Sequence, residues 1–142
     1  MQFSSKLAIA THILLVIAEF SEKEKVTSDV IAGSTNVNPV IIRNMLLKLQ
    51  DAKIIQTKAG VGGSELTKPL NKITMRDIFY AVEEDKDLFK FHANPNEDCP
   101  VGRNIHKLLD KRFDNAKEVM FDELSKITLD QLKFELDKLI KK

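Results

Sequence analysis

Thr27-Ser28-Asp29-Val30-Ile31-Ala32-Gly33-Ser34-Thr35-Asn36-Val37-Asn38-Pro39-Val40-Ile41-Ile42-Arg43-Asn44-Met45-Leu46-Leu47-Lys48-Leu49 leads through a short apolar run into Gly60-Val61-Gly62-Gly63. Thr27 and Ser28 are residues that cap a helix, and Val30 and Ile31 follow as its inward positions, before a turn around Gly33-Ser34. Asn36 to Asn38 supply a bend. Asn38 suits an N-cap, and Pro39 suits the first helical position, where an N–H would lack an intrahelical partner in any case. Ile42, Met45, Leu46 and Leu49 then recur at helical spacing, so one face of this second helix belongs to a core. After Ala52, Ile54 to Lys58 and Ser64 to Thr67 read as two short strands, joined by a glycine loop that needs positive φ. Helix, turn, helix and hairpin in this order predict a winged helix-turn-helix, a fold that reads DNA.

The outward face of the second helix carries Asn38, Val40, Arg43, Asn44 and Lys48. These types hydrogen-bond base edges, touch thymine methyls and neutralise phosphates. Arg43 is the candidate for guanine and Asn38 or Asn44 for adenine or a phosphate. Ser4, Lys6, Thr27, Ser28, Lys58 and the backbone N–H groups of Gly60, Gly62 and Gly63 are expected to position the duplex. Pro39 sits at the helix start beside them.

Charge supports this assignment locally rather than globally, since the whole chain carries only +1. Between positions 43 and 72, Arg43, Lys48, Lys53, Lys58, Lys68 and Lys72 face only Asp51 and Glu65. Between 83 and 98 the sign reverses, with six acids against Lys86 and Lys90. The basic run coincides with the helix and wing that would follow a phosphate backbone, and the acidic run falls on a connector. An ordinary solvated surface is the competing explanation for either run.

The segments Phe3-Ser4-Ser5-Lys6-Leu7-Ala8, Asn38 to Arg43, Gly60 to Gly63, Ile73-Thr74-Met75-Arg76-Asp77-Ile78 and Cys99-Pro100, followed by a long helix ending near Ile127-Thr128-Leu129, have an order and spacing in common with a known group. The chain resembles, over nearly its whole length, the Rrf-two family of bacterial winged helix-turn-helix transcription regulators. That resemblance implies a DNA-binding regulator, a repressor, working as a homodimer in the cytoplasm. Two features depart from the family pattern. Val61 and Ser64 interrupt a wing tip that is commonly Gly-Pro-Gly-Gly-Gly, and cluster-binding members have three cysteines where this chain has Cys99 alone. The second departure removes the iron-sulfur reading, and no cofactor is expected.

The remaining sequence predicts a mostly α protein with a small β-hairpin wing and a long C-terminal dimerisation helix. Residues 1–82 form the DNA-binding domain, 83–98 an acidic connector, and 99–142 the dimerisation helix and a final helix packing back on the first domain. From Pro100, Val101, Ile105, Leu108 or Leu109, Phe113, Ala116, Met120, Leu124 and Ile127 recur every three to five residues. Such a helix reaches about 39 Å, longer than the domain it leaves, so a second copy is expected to cover part of its apolar stripe. Val119 and Phe121 widen that stripe towards the first helix. Thr128 restarts a helix through Ile140, with Lys141 and Lys142 at its end, where positive charge suits the dipole.

Leu7 to Ala18 is apolar apart from Thr11 and His12, but it is too short to cross a bilayer, and residues 1–5 lack the basic start of a signal peptide. A buried first helix is expected, with His12 packed or hydrogen-bonded. One cysteine excludes an intrachain disulfide framework and fits a reducing compartment. Cys99 stands beside the predicted N-cap of the long helix, where the dipole and Arg103 favour a thiolate and Glu97 and Asp98 oppose it, so it is a candidate redox switch as well as an ordinary partly buried thiol. His92, Cys99 and His106 lack a compact ligand spacing, and no metal site is expected. No phosphate-binding loop and no nucleophile with a recognisable partner appears, so no enzyme is expected. The alternative to a DNA reader is a protein-interaction module, a winged helix that docks a partner protein, such as an enzyme, without binding DNA.

Overall fold

The computed structural model describes residues 4–141, so Phe3 of the opening motif and Lys142 of the terminal lysine pair lie outside the described residues. The elements run α1 Lys6–Phe20, α2 Ser28–Thr35, α3 Pro39–Asp51, β1 Ile55–Thr57, β2 Ser64–Leu66, a single 3-10 turn Leu70–Lys72, α4 Met75–Val82, α5 Pro100–Ser125 and α6 Leu129–Ile140. Local chemistry sets most of these boundaries. Thr27 caps α2 by accepting the Val30 N–H, and α2 ends at Asn36 in the left-handed region, a conformation in which asparagine is well tolerated. Asn38 caps α3 with Pro39 behind it.

The core is one cluster drawn from every part of this order. Ala10, Ile13, Leu14 and Ile17 of α1 meet Ile31, Ile42, Met45 and Leu49 of the helix pair, Ile54 and Ile55 at the wing base, and Ile73, Ile78 and Val82 around α4. The predicted inner face of α3 is present, with Leu46 half-buried at its edge. Val30, expected to point inward, is instead 36% exposed, because α2 is short and Ile31 alone among its residues is fully enclosed. His12 lies at the surface and hydrogen-bonds the Ser34 hydroxyl at 2.9 Å.

α5 spans 26 residues, about 39 Å at 1.5 Å per residue. It packs on α4, not on α1 as the sequence suggested. Phe121, its one buried residue, sits edge-on to Phe79 at 5.3 Å and stacks on Tyr80 at 5.1 Å, while Val119 remains 69% exposed. The connector returns along α5, with Phe89 stacked on Phe113 and Phe91 against His106 and Phe113. α6 then rejoins the core through Leu129. Its start is clamped to the start of α4 by two backbone bonds, Met75 N–H to the Ile127 carbonyl at 2.9 Å and Leu129 N–H to the Ile73 carbonyl at 2.8 Å. Thr74 and Thr128, which face each other across this bridge, each head a capping box. Lys133 adds a tie to α1, 2.7 Å from Glu19 and 2.7 Å from Asp137. Among the described residues no helix is long and apolar enough to cross a membrane.

Candidate nucleic-acid interface

The outer face of α3 is exposed at Asn38, Val40, Ile41, Arg43, Asn44, Leu47 and Gln50. Its start and its middle are built differently. At the start, the Asn38 side-chain oxygen accepts the Val40 N–H at 2.8 Å, so that oxygen is occupied by the helix and the amide NH2 is what Asn38 presents outward. In the middle, Arg43 and Asn44 project from a rigid underside of Ile42, Met45 and Leu49.

The wing stands beside this face. β1 and β2 pair antiparallel with Ile55 opposite Leu66, Gln56 opposite Glu65 and Thr57 opposite Ser64. Gly60, Gly62 and Gly63 all have positive φ, of 75°, 82° and 78°, as the predicted loop requires. A third segment holds the hairpin in place: the Ser64 N–H donates to the Val26 carbonyl at 2.9 Å, immediately before the cap of α2. Thr27, Ser28, Arg43, Leu47, Gln50 and Gly63 consequently border one cleft of about 390 Å³ between α3 and the wing.

Four of the predicted contacts are placed elsewhere or are engaged within the chain. The Lys48 ammonium lies 3.0 Å from Glu84 and 3.5 Å from the Val82 carbonyl, at the far end of α3. That hydrogen bond and charge, with a smaller contribution from Lys6, hold the Glu84 carboxyl below its usual range. Lys6 therefore belongs to the Glu84 neighbourhood, and the Ser4 hydroxyl accepts the Lys6 N–H at 3.1 Å to finish the start of α1. Lys58 reaches back to the Ser21 carbonyl at 2.7 Å and fastens the wing to the end of α1.

Leu47, Gln50, Ile41 and Lys25 are surface residues of this region that the sequence reading did not select. Leu47 is 59% exposed in the middle of an apolar run, and a thymine methyl is a natural neighbour for such a side chain. Its outward placement follows from the helical phase set by Ile42, Met45 and Leu49, which was available in the sequence. Lys25 was not readable: it sits in the mixed-charge run Glu22-Lys23-Glu24-Lys25, and only the fold lays its side chain against Gly62 and Gly63.

At the other end of the chain, Cys99 is the N-cap residue of α5. The sulfur makes no hydrogen bond of ordinary geometry to the helix start, but the nearby backbone N–H groups of Gly102, chiefly, and Val101 lower the thiol's pKa from the ordinary value.

This arrangement is that of a winged helix-turn-helix regulator, and comparison with known proteins agrees. The family model described as Rrf2, iron-dependent transcriptional regulator, matches residues 3–135, and the chain belongs to that family. YwnA of Bacillus subtilis (strain 168), provisionally named an HTH-type transcriptional regulator, is 40% identical over 126 residues, covering 89% of this chain and 92% of that protein. A crystal structure of a protein provisionally named as DNA-binding superposes with a TM-score of 0.75 at 37% identity, over 90% of this chain and 98% of the other. The structure of T. potens IscR shares the fold, with a TM-score of 0.72 at 16% identity, over 98% of this chain and 90% of that one. The iron in the family's description does not fit the donors present here. The sequence holds one cysteine, and among the described residues no group of three or more His, Cys, Asp or Glu side chains converges as a metal site would require.

Proposed function

We propose that the chain is a sequence-specific DNA-binding transcription regulator, a repressor, that acts as a homodimer on a palindromic operator. Residues 1–82 serve as the DNA-binding domain, 83–98 as the connector and 99–142 as the dimer arm. One observation carries this reading: Arg43 and Asn44 project from α3 into solvent beside a glycine wing, on an underside that is fully buried. α3 enters the major groove, Arg43 pairs with guanine, and Asn44, Val40 and Leu47 meet neighbouring base edges. Thr27, Ser28, the amide of Asn38 and the wing backbone hold phosphates. Two-fold symmetry sets the two α3 helices about 34 Å apart, one turn of the duplex.

Selection of bound sequences from a random duplex pool, followed by a salt titration on the enriched site, tests the proposal. An inverted repeat and affinity falling steeply with salt are expected. A chain that enriches no sequence and shows no salt-dependent affinity for duplex is instead the docking module.

Cys99 gives the proposal a regulatory element. Its polarised sulfur at the start of the dimer arm makes oxidation a route to altered operator affinity. An identical response of a Cys99→Ser variant to oxidant removes that element and leaves the DNA reader intact.

A further inference from the structure

The wing has no cation of its own to offer a nucleic acid. Between Ile55 and Leu66 the charged residues are Lys58 and Glu65 alone. The Lys58 ammonium donates to the Ser21 carbonyl at 2.7 Å, and Glu65 accepts from the Gln56 amide at 2.9 Å across the two strands. Glycine N–H groups can orient a phosphate, but they bring no full positive charge to displace its counterions.

A lysine from outside the hairpin stands where that charge is missing. Val26 is buried, and its carbonyl accepts the Ser64 N–H at 2.9 Å, so the segment before α2 runs along the start of β2. With Val26 turned inward, its neighbours Lys25 and Thr27 face outward, and Lys25 is exposed. The Lys25 side chain then follows the glycine loop from Gly63 to Gly62. A Cβ on Gly63 would come within 3.1 Å of its Cγ, and a Cβ on Gly62 within 2.7 Å of Cε and 3.0 Å of Nζ. Glycine at these two positions leaves room for the aliphatic stem to lie flat while the ammonium stays in water at the turn of the wing. Glu22 and Glu24 are close in sequence, yet among the described residues Lys25 enters no salt bridge.

We propose that Lys25 is the wing's phosphate-binding cation, laid across Gly62 and Gly63 so that the wing and the start of α2 grip one stretch of DNA backbone together. The inference rests on the DNA reading above and adds a positioning residue to it. Thr27 and Ser28 border the same cleft as Gly63, so the ammonium stands between the capped start of α2 and the loop. A phosphate there meets a full charge from Lys25 and neutral donors from the loop. Lys25 holds the duplex without reading its sequence, and base discrimination stays with α3.

The test compares the full chain with its K25A, K25R and K23A variants, measuring affinity for the selected operator and for a random duplex across a range of salt. Lys23 is the control, an exposed lysine of the same run that lies 3.8 Å from Glu19. K25A is expected to weaken both duplexes by the same factor, at least about tenfold at about 50 mM salt. It should also flatten the slope of log affinity against log salt by about 0.9 for each subunit bound. K25R keeps the charge and is expected to restore the slope, and K23A to leave it as in wild type. Thermal melts check that each variant folds. A K25A slope equal to that of wild type, an equal flattening in K23A, or a K25R slope no steeper than that of K25A overturns the role of Lys25 while the DNA reading stands. So does a K25A loss confined to the operator, which would make Lys25 a base contact. A wild-type chain with no salt-dependent affinity for either duplex overturns both.

Discussion

The side-chain oxygen of Asn38 accepts the backbone N–H of Val40 at 2.8 Å, closing the first turn of α3. This bond makes Asn38 a structural residue before it is a reader of DNA. Asn38→Ala is expected to lower stability by about 1 kcal/mol, because it leaves an N-terminal donor without its cap, and Asn38→Ser to restore most of the loss. Urea denaturation of the three proteins checks the order. Equal midpoints would show that the cap contributes nothing.

Two glycines are expected to respond to alanine with opposite signs. Gly33 lies inside α2 with open space where a Cβ would be, so Gly33→Ala should stabilise by about 0.5–1 kcal/mol through the unfolded chain. Gly63 has φ +78°, and a Cβ there would lie 2.9 Å from the Val26 backbone nitrogen. Gly63→Ala is therefore expected to cost more than the roughly 1–2 kcal/mol of the left-handed conformation alone, and to loosen the wing from the segment before α2. Thermal melts distinguish the two, and a Gly63→Ala protein as stable as wild type would contradict the packing described.

The glycine run, the Asn38-Pro39 start and the inward phase of α3 were legible because each depends on residues adjacent in the chain. The Thr128 start of α6 and the length of α5 were legible for the same reason. What was not legible depends on tertiary packing. That Lys48 reaches Glu84, Lys58 reaches the Ser21 carbonyl and Lys25 lies over the wing follows from which helix ends the core brings together, and a basic side chain carries no local signal of its partner. The placement of α5 on α4 rather than α1 is likewise decided by the pairing of Phe121 with Phe79 and Tyr80, aromatic residues far apart in sequence.

Cys99 is expected to react with iodoacetamide at lower pH than a cysteine in an unstructured chain. The Gly102 and Val101 N–H groups stabilise the thiolate, which lowers the folded pKa. Sign follows from linkage: the contribution to stability is present above the unfolded thiol's pKa and is lost as pH falls through the folded one. Alkylation rates across pH, native and in denaturant, give the two midpoints. A native midpoint at or above the denatured one would remove the polarised thiol. Gly102→Ala should raise the native midpoint, since its Cβ would run into the Asn96 carbonyl oxygen and displace the first turn of α5.

Arg43 and Lys48 lie on the same helix, yet their replacement by alanine is expected to have different consequences. Arg43 is exposed beside the wing, with no salt bridge among the described residues, so Arg43→Ala should weaken a selected operator by about 1–3 kcal/mol and random duplex much less. Lys48 is held by Glu84 and the Val82 carbonyl, so Lys48→Ala removes a charge already balanced within the chain and should change both affinities little. It should instead raise the Glu84 pKa towards its usual value, because Lys48 is the main cause of its depression. Binding of both variants to operator and random DNA, measured side by side at one salt concentration, separates base reading from phosphate attraction. If Arg43→Ala weakens both duplexes equally, Arg43 is a phosphate contact. If Lys48→Ala matches it, the Glu84 ion pair opens on DNA and Lys48 joins the interface.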